Sequence, residues 1–438
     1  MPRRLVVQLA RLGDLLQSLP VMTALQDQVA DSRLDLVCPT PLASLALYFP
    51  CVSQVLPWDG GAWHGLSEQG RVEESLTQAK EMINRISGLP YFMAYNLNNH
   101  ARAVLAAHVL ADRVVGPGEN GPLSTQLPPW VAYIRLAAGY RGWNHVHLSD
   151  AFCGMAGVGP PGGVPHLYPP IPELPRDLLQ FGEADGFKVA VVVGAGDADR
   201  RVPVAFWKDW ISEFLRQIPH GTVLLVGGMG ERAVTQRLQD QISSLDQGRI
   251  WDACGRTSLP QLAWLLSRCQ WVIGSDTGPL HLGAACGARA MGLYVSRARV
   301  HETGPYGGGH WVWQAEEGTG KRQIPNCKKQ NGEPHTFMQR ANGKAQMNMQ
   351  GVRPEQWPVR ESLEVLVTGS CSFMPEGWSL WESHWDRWGA YFTQYGEPVV
   401  APIMRERVWE RLSHWNGGDM ESLWDLLNNR EPLATPVG

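Results

Sequence analysis

Up to about residue 310 the chain alternates short apolar runs with stretches whose apolar residues recur every three or four positions. Leu5 to Leu9 reads as a strand, the loop Ala10-Arg11-Leu12-Gly13-Asp14 follows, and Leu15, Leu19, Met22 and Val29 then fall at helical spacing. Strands are predicted again at Leu34 to Cys38 and Tyr91 to Leu97, and helices near Val72 to Ile86 and Ala101 to Leu110. After a Pro/Gly-dense stretch that breaks both helix and strand, the same grammar restarts. Lys188 to Val193 and Thr222 to Val226 read as strands, and Val204 to Gln217 and Glu231 to Ile242 as helices. Ser258-Leu259-Pro260-Gln261 has capping-box spacing ahead of Leu262, Leu265 and Leu266.

Two β/α halves around a hinge predict an α/β fold with two doubly wound, Rossmann-like domains facing across a cleft. The boundaries expected are 1–156 for the first domain, 157–175 for the linker, 176–370 for the second domain and 371–438 for a tail. Trp378, Trp381, Trp385, Trp388 and Phe392 follow a three-four spacing, so the tail is expected to be mainly helical with one aromatic face. Ten of the nineteen tryptophans lie beyond residue 310, and packing against the two domains or against another subunit explains such a stripe better than sugar stacking. Residues 316–351 lack periodicity and read as loop.

A chain of 438 residues exceeds one ordinary core, and a net charge of −4 calls for neither nucleic acid nor an anionic membrane. No apolar run approaches the length of a membrane span, and Met1-Pro2-Arg3-Arg4 leads directly into a strand, so the expected location is cytoplasmic with at most peripheral membrane contact. The eight cysteines form no C-x-x-C pair, which leaves zinc and disulfide frameworks unsupported.

The chemistry concentrates at strand ends. Asp276-Thr277-Gly278-Pro279-Leu280-His281 follows the apolar run 271–275 and precedes a small-residue helix, which places backbone N–H groups and a polar His where open α/β sheets bind anions. Backbone donors are expected from Thr277, Gly278 and Leu280, a ring N–H from His281, and room for the phosphate from Gly278. Asp276 is read as orienting the loop, not as a metal ligand. Glu231, behind a glycine turn, can bind ribose hydroxyls or serve as a first-turn acid. Asp14 can cap its helix behind a permissive Gly13, and Arg200-Arg201 can be a solvated pair. Gly194-Ala195-Gly196 lacks the third Gly of a dinucleotide fingerprint, Gly320-Lys321 lacks the rest of a P-loop, and no acyl-enzyme or zinc signature is present.

Taken together, Gly194-Ala195-Gly196, Arg200-Arg201-Val202-Pro203, Gly227-Gly228-Met229-Gly230-Glu231, residues 254–259, the hexapeptide at 276–281, Leu12-Gly13-Asp14 and Gly304-Pro305-Tyr306-Gly307 resemble the ADP-heptose:lipopolysaccharide heptosyltransferases, glycosyltransferase family 9. The resemblance runs over about residues 1 to 310. It implies a GT-B architecture and inverting, metal-independent heptose transfer from ADP-heptose, without a cofactor, to an acceptor held by the first domain. Under it Asp14 becomes the general base, and Arg200 and Arg201 the cations that stabilise the leaving diphosphate. Gly13, Gly194, Glu231, Asp276, Thr277, Gly278, Pro279, Leu280 and His281 become the donor site.

The chain departs from the family at Gln8, often basic there, at Ala10, at the loop 295–299, at Cys327, the remnant of a cysteine-rich segment, and in the tail. The acceptor is accordingly a glycan, a lipid-linked glycan or a protein. Alternative readings are a UDP-sugar transferase or epimerase, or a non-catalytic nucleotide-sugar-binding scaffold, with a homo-oligomer formed through the tail.

Overall fold

The computed structural model describes residues 3–428 apart from 30–31, 89–90, 140–143, 145, 245, 297, 316–356, 397–400, 416 and 418–419. The expected loop at 316–351, with Lys321 and Cys327, therefore lies outside the described residues, as does Arg297.

Strands β1 (Arg3–Val7), β2 (Arg33–Pro39), β3 (Gln54–Trp58), β4 (Tyr91–Asn96) and β5 (Ala111–Val115) form a parallel sheet in the order β3-β2-β1-β4-β5. A second sheet contains β6 (Phe187–Val192), β7 (Gly221–Val226), β8 (Ile250–Asp252), β9 (Trp271–Gly274), β10 (Arg289–Tyr294), β11 (Trp311–Ala315), β12 (Trp378–Asp386) and β13 (Gly389–Gln394). Its order is β13-β12-β11-β10-β9-β6-β7-β8. Strand order reverses between β1 and β4 in one sheet and between β6 and β9 in the other, and such reversals open a crevice at the carboxyl ends of the strands.

Alternation along each strand explains why both faces are covered. Val6, Leu34, Leu36, Ala190 and Val192 enter one core, which runs without interruption from the first sheet into the second. Leu5, Val7 and Val37 point the other way into a core private to the first sheet, and Val189 and Val191 into one private to the second. The shared layer holds the helices Leu12–Gln17 and Leu19–Gln28 from the first half and Leu259–Ser267 and Gly278–Ala285 from the second. The helix Leu259–Ser267 starts as its sequence specifies: Ser258 Oγ accepts the Gln261 N–H at 3.4 Å, and Gln261 Oε1 accepts the Ser258 N–H at 2.7 Å. Residues 156–175, which join the halves, form no regular element.

The tail overturns one expectation. Trp378, Trp381 and Trp385 lie on β12 and Phe392 on β13, so the three-four spacing belongs to a β-hairpin and not to a helix. Aromatic side chains favour strands, and Asp386 turns the chain by accepting the Trp388 N–H at 2.8 Å while Gly389 takes φ +95°. β12 finds an open edge on β11 and pairs with it antiparallel, a partner that spacing could not reveal. Helical structure follows at Ala401–His414 and Met420–Asn428. These helices cross back to the first half, where Val408, Leu412, Leu423 and Leu427 pack against Tyr133 and Leu136 of the helix Pro129–Gly139. The buried Arg405 ties helix to hairpin through the Gly389 carbonyl at 3.1 Å and Asp386 at 2.7 Å.

A second buried acid joins all three parts. Asp150, from the helix Leu148–Met155, accepts the Tyr306 hydroxyl at 2.8 Å and the Ala390 N–H of β13 at 3.0 Å. Burial pushes its pKa up to about 8 against these two bonds and the charge of Arg405. Among the described residues no helix is long and apolar enough to cross a membrane.

Candidate active site

Both crevices meet along one seam. Asp14 stands in the first turn of the helix Leu12–Gln17 directly after β1, and its Oδ2 accepts the Arg11 N–H at 3.3 Å, so it does cap the helix. Burial nevertheless holds its carboxyl above the ordinary aspartate range, opposed by that bond and by His281 and Arg11, and assisted by Asp276. Those opposing groups locate Asp14 beside the hexapeptide of the other half.

On that side the loop after β9 carries Asp276, whose carboxylate sits between two partners: Arg200 Nη1 at 3.5 Å from Oδ2 and His281 Nε2 at 3.3 Å from Oδ1. Arg200 also donates to the Asp276 carbonyl at 3.1 Å and pairs with Asp197. The helix Gly278–Ala285 begins at Thr277, whose hydroxyl donates to the Ser275 carbonyl at 3.2 Å. Leu280 already gives its N–H to the Thr277 carbonyl at 3.1 Å, and Pro279 has none to give. The N–H groups of Thr277 and Gly278 are thus the donors best placed for an anion. His281 faces an acid through Nε2, which assigns the proton there, and its buried Nδ1 has no partner among the described residues.

Gly278 is required for a reason the sequence did not suggest. A Cβ there would lie 2.7 Å from Leu12 Cδ2, so the glycine admits a side chain from the first half. A Cβ on Gly13 would in turn lie 3.5 Å from His281 Cδ2. Gly194 makes room for Glu231, whose Cγ would stand 2.7 Å from a Cβ there and whose carboxylate accepts the Gly228 N–H at 2.9 Å. Because β9, β6 and β7 are neighbours, the strands that lead to Asp276 and Glu231 lie two spacings apart in the sheet, about 10 Å.

Asp14, Gly13, Arg200, Asp276, Thr277, Gly278 and His281 therefore come together, while Gly194 and Glu231 form a second group farther along the edge. Arg201 is exposed; its N–H donates to the Ala198 carbonyl at 3.2 Å, and its side chain makes no hydrogen bond or ion pair among the described residues. Sequence reasoning passed over Arg11 and Asp197, which face each other across the seam at 3.6 Å, and Tyr294, which lies against Asp276 and donates to the Thr303 carbonyl at 2.8 Å. A charged residue directly beside each glycine turn was the available signal. Gln8, read as a departure on the acceptor side, is fully buried and faces inward. A cavity of about 20 Å³ lies beneath His281 between Leu16, Leu19, Ala284 and Tyr306, room for roughly one water.

Residues 181–331 match the family model of glycosyltransferase family 9 (heptosyltransferase). That segment carries the likeness in sequence to the family. The likeness in fold extends beyond that segment. The glycosyltransferase family 9 structure from Veillonella parvula DSM 2008 is 19% identical with a TM-score of 0.62, over 84% of this chain and 98% of its own. The E. coli heptosyltransferase WaaC with ADP is 18% identical with a TM-score of 0.52, over 70% and 91% respectively. These likenesses establish a GT-B-like α/β fold. No curated protein matches the sequence. The matched segment supports a glycosyltransferase, with sugar transfer from a nucleotide-sugar donor as its chemistry.

Proposed function

We propose that the protein transfers heptose from ADP-heptose to a hydroxyl group with inversion, in a single displacement and without a metal. The observation that carries this reading is the meeting of a half-buried carboxyl, Asp14, with Arg200 and the start of the helix Gly278–Ala285 across one seam. In the step proposed, Asp14 takes the proton of the acceptor hydroxyl as its oxygen attacks the anomeric carbon. The bond from that carbon to the diphosphate breaks, and its electron pair leaves on the nucleoside diphosphate. Arg200 and the N–H groups of Thr277 and Gly278 receive the growing charge, with Arg201 as a further cation. Glu231 holds the ribose.

The structural relative crystallised with ADP makes ADP the first nucleotide to test. The acceptor is a glycan, lipid-linked glycan or protein, the setting is the cytoplasm, and self-association through the tail is an expectation that light scattering can check. Calorimetric titration with ADP, UDP and GDP tests the donor. ADP is expected to bind best, with affinity lost in Arg200→Ala. Preference for UDP would transfer the reading to a UDP-sugar enzyme, and ADP binding without turnover on any acceptor to a scaffold.

A further inference from the structure

At the reversal of strand order in the first sheet, the chain leaves β1 between two buried amide side chains. Gln8 is completely buried and Asn98, just beyond β4, nearly so. Asn98 Oδ1 accepts the Leu9 N–H at 2.6 Å, and its Nδ2 donates to Gln8 Oε1. The same Gln8 oxygen accepts the Ala10 N–H at 3.3 Å, and Gln8 Nε2 donates to the Asp14 carbonyl at 3.4 Å. Asn98 is itself anchored: its N–H donates to Asn96 Oδ1 at 3.0 Å, and Asn96 Nδ2 donates to the Asn98 and Pro117 carbonyls at 3.0 and 2.8 Å. Both amides reach the loop directly, one at its first N–H and the other at Asp14.

We propose that Asn98, acting with Gln8, is a positioning residue for Asp14: the amide pair fixes the path of the chain from β1 into the loop that presents the carboxylate to the seam. The inference rests on the reading of Asp14 as the base. Buried amides are costly to desolvate unless their groups are all paired, and here the pairs end on the backbone of residues 9, 10 and 14 and not on the core. Strand pairing cannot supply this hold, because the N–H groups of Leu9 and Ala10 have already left the sheet. The sequence marked Gln8 as an oddity on the acceptor side; the geometry assigns it to the frame of the loop.

The test uses the full chain and the variants Asn98→Leu, Gln8→Met and Asp14→Asn. Carboxyl 13C NMR follows the titration of Asp14, identified by the resonance that Asp14→Asn removes, and turnover of ADP-heptose is measured with lipopolysaccharide as acceptor probe. In Asn98→Leu and Gln8→Met the loosened loop admits water, so the Asp14 midpoint falls towards that of an exposed aspartate. The Leu9 and Ala10 amides exchange faster, and kcat drops about 10- to 100-fold, with KM for ADP-heptose changed less than about threefold. A role confined to stability would lower the melting temperature and leave the Asp14 midpoint where it is. Should Asn98→Leu not fold, Gln8→Met carries the same titration. An unchanged Asp14 midpoint and exchange rate in the folded variants overturns the inference while an inactive Asp14→Asn leaves the base standing. Normal turnover by Asp14→Asn removes the base assignment and this inference with it, a result read independently of the titration.

Discussion

The loops after β1 and after β9 both flank the reversal of strand order in their sheets, yet they carry opposite chemistry. The first is a buried frame of neutral amides around one acid. The second combines a helix start with an acid that holds the Arg200 guanidinium, brought there from the loop after β6. One suits a group that must take up a proton, the other a place where negative charge appears. The same crevice has been given two tasks by its side chains, so the fold supplies position and the residues supply role. Contact between the loops is apolar, Leu12 on Gly278, at the margin of the core that both halves share.

The sharpest way to break this contrast is to remove the acid. Asp14→Asn is expected to lower kcat by about 10²- to 10⁴-fold with ADP affinity unchanged, measured by steady-state kinetics and calorimetry. Only the ionised carboxylate accepts a proton, and burial raises its pKa, so kcat/KM of the unmodified protein should decline on acidification at a pH above the value of about 3.9 typical of a free aspartate. Absence of that acid limb in Asp14→Asn would tie it to this residue. On the opposite side, Arg200→Ala should weaken ADP by about 1.5–3 kcal/mol, roughly 10- to 150-fold in Kd. An effect on kcat without loss of ADP affinity would separate the arginine from the diphosphate.

Gly278→Ala probes the contact between the loops. The new methyl group must displace Leu12 at a cost of about 1–3 kcal/mol, read as a lower melting temperature and slower turnover, and Leu12→Ala should restore both. Failure of that rescue would show that the glycine serves the donor and not its neighbour. Arg11→Ala should do least. Arg11 and Asp197 are well exposed, so ADP affinity is expected to change by less than about threefold.

Local pattern carried much of the architecture. The spacing of Val204 to Gln217 and of Val72 to Ile86 marked helices found at Val204–Gln217 and Val72–Ser87, and the strands β2, β4, β6 and β7 lie where apolar runs placed them. Period and capping are properties of neighbours in the chain, and they survive without tertiary information. The short β3 and β5 were missed, because Gln54–Trp58 and Ala111–Val115 mix polar and apolar residues and acquire strand form by pairing with β2 and β4. The aromatic tail failed more instructively: its period fitted a helix, and an open strand edge decided otherwise.

By itself, then, the sequence determined the repeated β/α order, the hinge between the halves, and which loops hold acid, arginine and glycine. It could do so because each of these is written within a few adjacent residues. Only the tertiary structure decided that Leu12 fills the space over Gly278, that Glu231 lies over Gly194, that Asn98 grips the chain ahead of Asp14, and that the tail divides between the second sheet and the helices of the first half. Those are contacts between residues far apart in the chain, set by which surfaces remain uncovered once the local elements have formed.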